Sequence, residues 1–167
     1  MSLAREGRPT DEAAALQLML QNLGDRRISD CLFDVAQAPL NVVPQAIWLD
    51  LQENSYVEHS RDSRHYILTG RGWLRALQES RATQDKTFRR TVSNLIEAIK
   101  KHFKGGHVGR MVSPQTLAQE SGIPENWIYN AVESNLIEGE FQKRGIVWAN
   151  GFEGKLIHVP AAFGSEL

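Results

Sequence analysis

Apolar residues in this chain recur as short helical stripes followed by a pair of β-rich runs, and that order occurs twice within 167 residues. The repetition constrains the fold more than any single motif. Each copy spans about 80 residues, enough for one small core and no more. In the first copy, residues 12–23 place Leu16, Met19, Leu20 and Leu23 at helical spacing in an Ala-rich segment. Asp11 suits the N-cap and Gly24 the stop. Ser29 or Asp30 is expected to cap a short second helix carrying Cys31, Leu32 and Val35, broken at Ala38-Pro39. A third helix is expected from Val43 or Pro44 to Glu53, with Ile47, Trp48 and Leu51 on its apolar side. Tyr56-Val57 and Tyr66-Ile67-Leu68 flank a charged turn and read as a hairpin. Leu68-Thr69-Gly70 then opens a helix with Trp73, Leu74 and Leu77 on one side.

The second copy follows a polar linker at residues 81–86. A long helix is expected over 88–103, because Val92, Leu95, Ile96, Ile99 and Phe103 form an apolar stripe. Gly105-Gly106 ends it. Ser113 caps the next helix, with Pro114 at its first position. Ser121-Gly122-Ile123-Pro124 is a tight turn, and a third helix runs from Pro124 to Asn135. Ile146-Val147-Trp148 and Leu156-Ile157-His158-Val159 close the copy as a second hairpin. The expected class is therefore mainly α with small β-hairpins (α+β). Its domains are residues 11–80 and 87–161, between flexible termini at 1–10 and 162–167.

Composition narrows the function. Hydrophobic residues at 41% and charged residues at 23% are those of a globular chain, not a disordered one. No window approaches 18 consecutive apolar residues, and the first ten residues lack a signal-peptide core, so a cytoplasmic protein with no membrane partner is expected. Cys31 is the single cysteine. Its neighbours Leu32 and Phe33 make it a core residue. Residues 1–82 hold nine Lys/Arg against eleven Asp/Glu, and residues 83–167 hold ten against nine. Neither half is globally basic, so any nucleic-acid contact must come from local clusters.

Two sets of residues carry a resemblance. Leu117-Ala118, Gly122-Ile123, Ile128, Ala131-Val132 and Gly139 look like the helix-turn-helix of winged-helix proteins. Gly122 permits the turn, and Ile123, Ile128 and Val132 fill the space between the helices. In the first copy, Leu51, Asn54-Ser55-Tyr56-Val57 and Tyr66-Ile67-Leu68-Thr69-Gly70 resemble the wing of bacterial winged-helix transcriptional regulators. Ser55 stands where that family often has Gly, and residues 38–43 match no standard helix-turn-helix. The resemblance implies tandem winged-helix domains. It further implies a third helix in the major groove and a wing on the backbone or minor groove.

By position, Asn41 and Gln45 in the first copy, and Asn126 and Asn130 in the second, are the expected base-facing residues, with Tyr129 a further outward candidate for DNA contact. Asn and Gln are suitable readers of adenine. Glu125 and Glu133 on the second helix would repel phosphates. The expected backbone contacts are Arg61, Arg64 and His65 in the first wing, and Lys143 and Arg144 before the second hairpin. Further cations flank the long helix: Arg89, Arg90, Lys100, Lys101 and Lys104. The partner expected is double-stranded DNA, bound by a transcriptional or replication-type regulator. A homodimer could form through residues 88–103 or 72–78. The alternative is a protein-interaction module without DNA affinity, docking through Trp127 and Tyr129.

No catalytic signature is present. His59, His65, His102, His107 and His158 are scattered, without metal-ligand spacing. Residues 105–110 are Gly-rich but lack the spacing and the Lys-Ser/Thr ending of a phosphate loop. Ser113 and Ser121 have cap and turn roles. No enzyme activity, metal or cofactor is expected.

Overall fold

The computed structural model describes residues 11–61, 64–104, 111–134, 136, 147–151 and 154–158. The chain divides into two compact units, Met1–Thr83 and Gln84–Leu167. Both are mainly helical with a three-stranded antiparallel sheet, an α+β arrangement.

In the first unit the elements are α1 (Glu12–Leu23), β1 (Phe33–Asp34), α2 (Gln45–Glu53), β2 (Val57–His59), β3 (His65–Leu68) and α3 (Gly70–Glu79). Single 3-10 turns lie at Ile28–Asp30 and Leu40–Val42. The sequence places α1 correctly at both ends. The Asp11 carboxylate accepts a hydrogen bond from the Ala14 N–H (2.8 Å), and Gly24 stops the helix at φ +59°. Ala15, Leu16, Met19 and Leu23 turn inward, and α1 packs against α2 and α3. Pro44 is the N-cap of α2 rather than its first residue. Trp48 and Leu51 face the core.

The expected second helix does not form. Ser29 and Asp30 lie inside a 3-10 turn whose N-cap is Arg27. Beyond it, Cys31 and Phe33 are buried while Leu32 is exposed. That is the two-residue period of a strand, not the helical grouping of Cys31, Leu32 and Val35. Phe33 and Asp34 pair with Tyr66 and His65 of β3. On its other side, β3 pairs with β2 in the register Val57↔Leu68, Glu58↔Ile67, His59↔Tyr66. The sheet order is β1-β3-β2. Tyr66 is thus buried in the central strand, and its ring stacks between Trp48 (centroids 5.0 Å apart) and His59 (4.4 Å).

The end of the hairpin is clamped to the start of α3. The Thr69 N–H donates to the Tyr56 carbonyl (3.1 Å), and the Thr69 hydroxyl lies 2.7 Å from the Ser55 carbonyl. The same oxygen caps α3 by accepting from the Gly72 N–H (2.9 Å). Arg71 lies over the Tyr56 ring, 5.3 Å from its centroid. Gly72 is required here: a Cβ at this position would fall 2.0 Å from the Tyr56 carbonyl oxygen.

The second unit contains α4 (Lys86–Lys104), β4 (Met111–Val112), α5 (Pro114–Ser121), α6 (Glu125–Glu133), β5 (Val147–Gly151) and β6 (Gly154–His158). The long helix starts two residues before its expected position. The Asp85 carboxylate receives the Thr87 N–H (2.8 Å) and opens it. β4 has no counterpart in the sequence reading, because two residues show no period. The Ser113 hydroxyl accepts from the Thr116 N–H (3.1 Å) at the start of α5. Gly122 ends α5 in the left-handed region at φ +77°, as the turn demands. Leu95, Ile99, Val112, Leu117, Ile123, Ile128, Ala131 and Val132 form the core. β6 lies between β4 and β5. In both units, therefore, the last strand made is the middle one.

Two substitutions test the clamp. Gly72→Ala should lower stability by about 1–3 kcal/mol, because the methyl group meets backbone that cannot yield. Ser55, at φ +63°, occupies a region unfavourable to any residue but glycine. Ser55→Gly should raise stability by up to about 1 kcal/mol, the relief of strain exceeding glycine's entropy cost. Urea unfolding of the three proteins measures both.

Candidate functional site

Three surfaces carry the candidate residues: the outward face of α2 with the β2–β3 hairpin, the outward face of α6, and the exposed face of α4. On α2, the inward turn of Trp48 and Leu51 leaves Gln45, Ala46, Leu49, Asp50, Gln52 and Glu53 exposed. Gln45 therefore stands where the sequence puts it. Asn41 is also exposed, in the 3-10 turn before the helix, and its N–H donates to the Gln37 carbonyl (2.9 Å). The sequence reading overlooked Leu49, which is 54% exposed. A helical wheel could have found it, since Leu49 lies well away from the sector of Trp48 and Leu51.

The first hairpin offers less charge than its arginines suggest. Arg61 is exposed beside the turn. Arg64 is bound by Asp34 through two contacts, Nε to Oδ1 at 2.8 Å and a terminal nitrogen to Oδ2 at 2.7 Å. His65 is half-buried in β3, its Nε2 3.8 Å from Asp34 Oδ2. The Asp34 carboxylate also accepts the Ala36 N–H (2.9 Å). The Arg64 guanidinium beside it holds this carboxyl below the usual range, with the Ala36 hydrogen bond and the His65 side chain adding to the effect. This cluster fastens β1 to the hairpin and engages the guanidinium expected at a phosphate, with the Arg64 side chain left 53% exposed.

On α6, Asn126 is exposed, but Asn130 is only 4% exposed and cannot reach a base edge. Helical spacing alone does not place it inside: Asn130 lies about 200° round the helix from Ile128, away from the side of Ile128, Ala131 and Val132, yet it is enclosed, and its carbonyl receives the Ser134 N–H at the helix end (3.0 Å). Trp127 and Tyr129 are half-buried. Trp127 meets Phe88 of α4 edge-on, with centroids 6.0 Å apart, so it belongs to the packing of its own unit and not to an open apolar patch. Lys143 and Arg144 lie outside the described residues.

The third surface gathers the cations that flank the long helix in the sequence. Lys86, Arg89, Arg90, Lys100 and Lys101 fall within one sector of α4, opposite buried Leu95 and Ile99. Lys86, Arg89, Arg90 and Lys101 are exposed, and Lys100 is half-exposed, 3.9 Å from Glu97. Of the seven charged residues along this helix, only Glu97 is negative. Cations in the last turn favour the helix dipole, but Lys86, Arg89 and Arg90 lie in the first turns, where positive charge is unfavourable. No carboxylate among the described residues pairs with these three.

Cys31 is buried, as expected, and burial raises its thiol pKa, the opposite of a reactive cysteine. Among the described residues, no group of three His, Cys, Asp or Glu is placed to hold a metal ion. No helix among them is long and apolar enough to cross a membrane. Comparison with protein families, with curated proteins and with solved structures finds no match to this chain.

The Asp34 cluster has a defined pH signature. A carboxyl held low in the folded state stabilises it above the unfolded value of about 4 and loses that contribution as pH falls through the folded pKa. Asp34→Asn should lower the Tm by a constant amount from neutral pH to about pH 5, with the deficit shrinking below about pH 4. A deficit that persists undiminished into strong acid would assign the loss to packing instead.

Proposed function

We propose that both units are winged-helix domains and that the chain is a DNA-binding protein of the transcriptional or replication-regulator kind, gripping duplex phosphates through α4. The order helix, strand, helix or 3-10 turn, helix and two-stranded wing, with the last strand central, supports the winged-helix reading of each unit. The observation that carries DNA binding is the cationic face of α4. A helix exposed only to water gains nothing from three cations in its first turns that meet no carboxylate among the described residues, and solvated faces ordinarily mix both signs. Lys86 to Lys101 spans about 22 Å along the axis at 1.5 Å per residue, about two thirds of a turn of B-form duplex. Phosphates along such a length are a fitting counterion set.

The helices that would enter the major groove are less suited to it. Neither α2 nor α6 contains a Lys or Arg, and α2 places Asp50 and Glu53 on its outward face. Arg61 in the first unit and Asn126 in the second are the exposed residues from the expected set that fit DNA best. Binding of this design is led by backbone contact, with limited base readout.

Anisotropy titration of labelled duplexes across salt tests the proposal. Affinity should fall steeply with salt. The triple variant Lys86→Ala/Arg89→Ala/Arg90→Ala should bind more weakly and reduce the log–log slope by about 2–3, equally for unrelated duplex sequences. Absence of binding at low salt, or an unchanged slope in the variant, would overturn the assignment.

A further inference from the structure

We propose that the outward face of α2 docks a basic segment of a partner protein that carries an apolar anchor residue. This reading goes beyond DNA binding and uses a different unit, so the two can fail separately. It starts from Leu49. A leucine 54% exposed in the middle of a well-packed helix forgoes burial, which is worth about 1.5–3 kcal/mol when a side chain of this kind is fully covered. Ala46 lies one turn before it on the same side, and Val42, 38% exposed, lies in the 3-10 turn that leads into the helix. Together they offer an apolar strip.

Charge decides what can cover it. Asp50 and Glu53 follow Leu49 at one and four residues, both exposed, and α2 contains no Lys, Arg or His. Duplex DNA and anionic lipid surfaces are repelled by such a face. A protein segment with a Leu, Ile or Phe to cover Leu49, and Lys or Arg to meet Asp50 and Glu53, complements it in both respects. The basic face of α4 from a second copy supplies the charge but not the anchor, because Leu95 and Ile99 are buried in its own unit.

The test uses the full chain and three synthetic helical peptides. One has leucines on one face and lysines on the other, one has the same lysines without leucines, and one pairs leucines with glutamates. The leucine–lysine peptide should bind best. Leu49→Ala should weaken it about tenfold, a central-anchor loss of about 1.4 kcal/mol. Asp50→Lys/Glu53→Lys should move the preference to the leucine–glutamate peptide, while Asp30→Lys, a charge reversal in the 3-10 turn outside α2, should change nothing. Circular dichroism should show each variant folded. The proposal is overturned by absence of leucine–lysine binding, by equal binding of the leucine-free peptide, or by indifference to Leu49→Ala. It is also overturned if sedimentation reveals a dimer that Leu49→Ala abolishes while peptide affinity stays unchanged.

Discussion

In each unit the last strand in the chain lies between the two earlier ones, and the rest of the structure depends on that closure. In the first unit β3 joins β1 to β2, so Tyr66 faces Phe33 on one side and His59 on the other. Its ring then lies between His59 and Trp48, which ties α2 to the sheet. Thr69 and Gly72 follow at once and seat α3 against the Tyr56 carbonyl. Until the chain reaches His65, β1 has no partner strand. The sheet is a long-range structure, and the helices around it are local ones.

This division explains how much was legible in the sequence. Helices with side-chain caps and clear stripes could be read closely. Asp11 and Gly24 bound α1, Ser113 and Gly122 bound α5, and both hairpins announced themselves by paired β-rich runs. The two-residue strands β1 and β4 could not be read, because their identity comes from pairing with β3 and β6 and not from any period of their own. Cys31, Leu32 and Val35 can be grouped as a helical side, and only the partner strand decides that Cys31 and Phe33 point in together. Of the candidate site, exposure was right for Asn41, Gln45, Arg61 and Asn126. It was wrong for Asn130, a polar residue enclosed on the side of α6 where helical spacing predicts solvent. The state of Arg64 depends on Asp34, 30 residues away, a contact no local pattern announces.

A net charge of −1 conceals two surfaces of opposite character. Cations are gathered on α4, while the outward face of α2 is apolar and acidic. Helical periodicity produces both without disturbing either core, since the charged sectors lie opposite Leu95 and Ile99 in one case and Trp48 and Leu51 in the other. On the proposed reading, the cationic first helix of the second unit rather than α2 would meet DNA, and α2 would be left for protein.

The most direct measurement of that claim is an amide chemical-shift map of the full chain titrated with duplex DNA at low salt. The account predicts shifts concentrated in residues 86–101, with α2 unmoved. Shifts concentrated in α2 and α6 with α4 silent would contradict it.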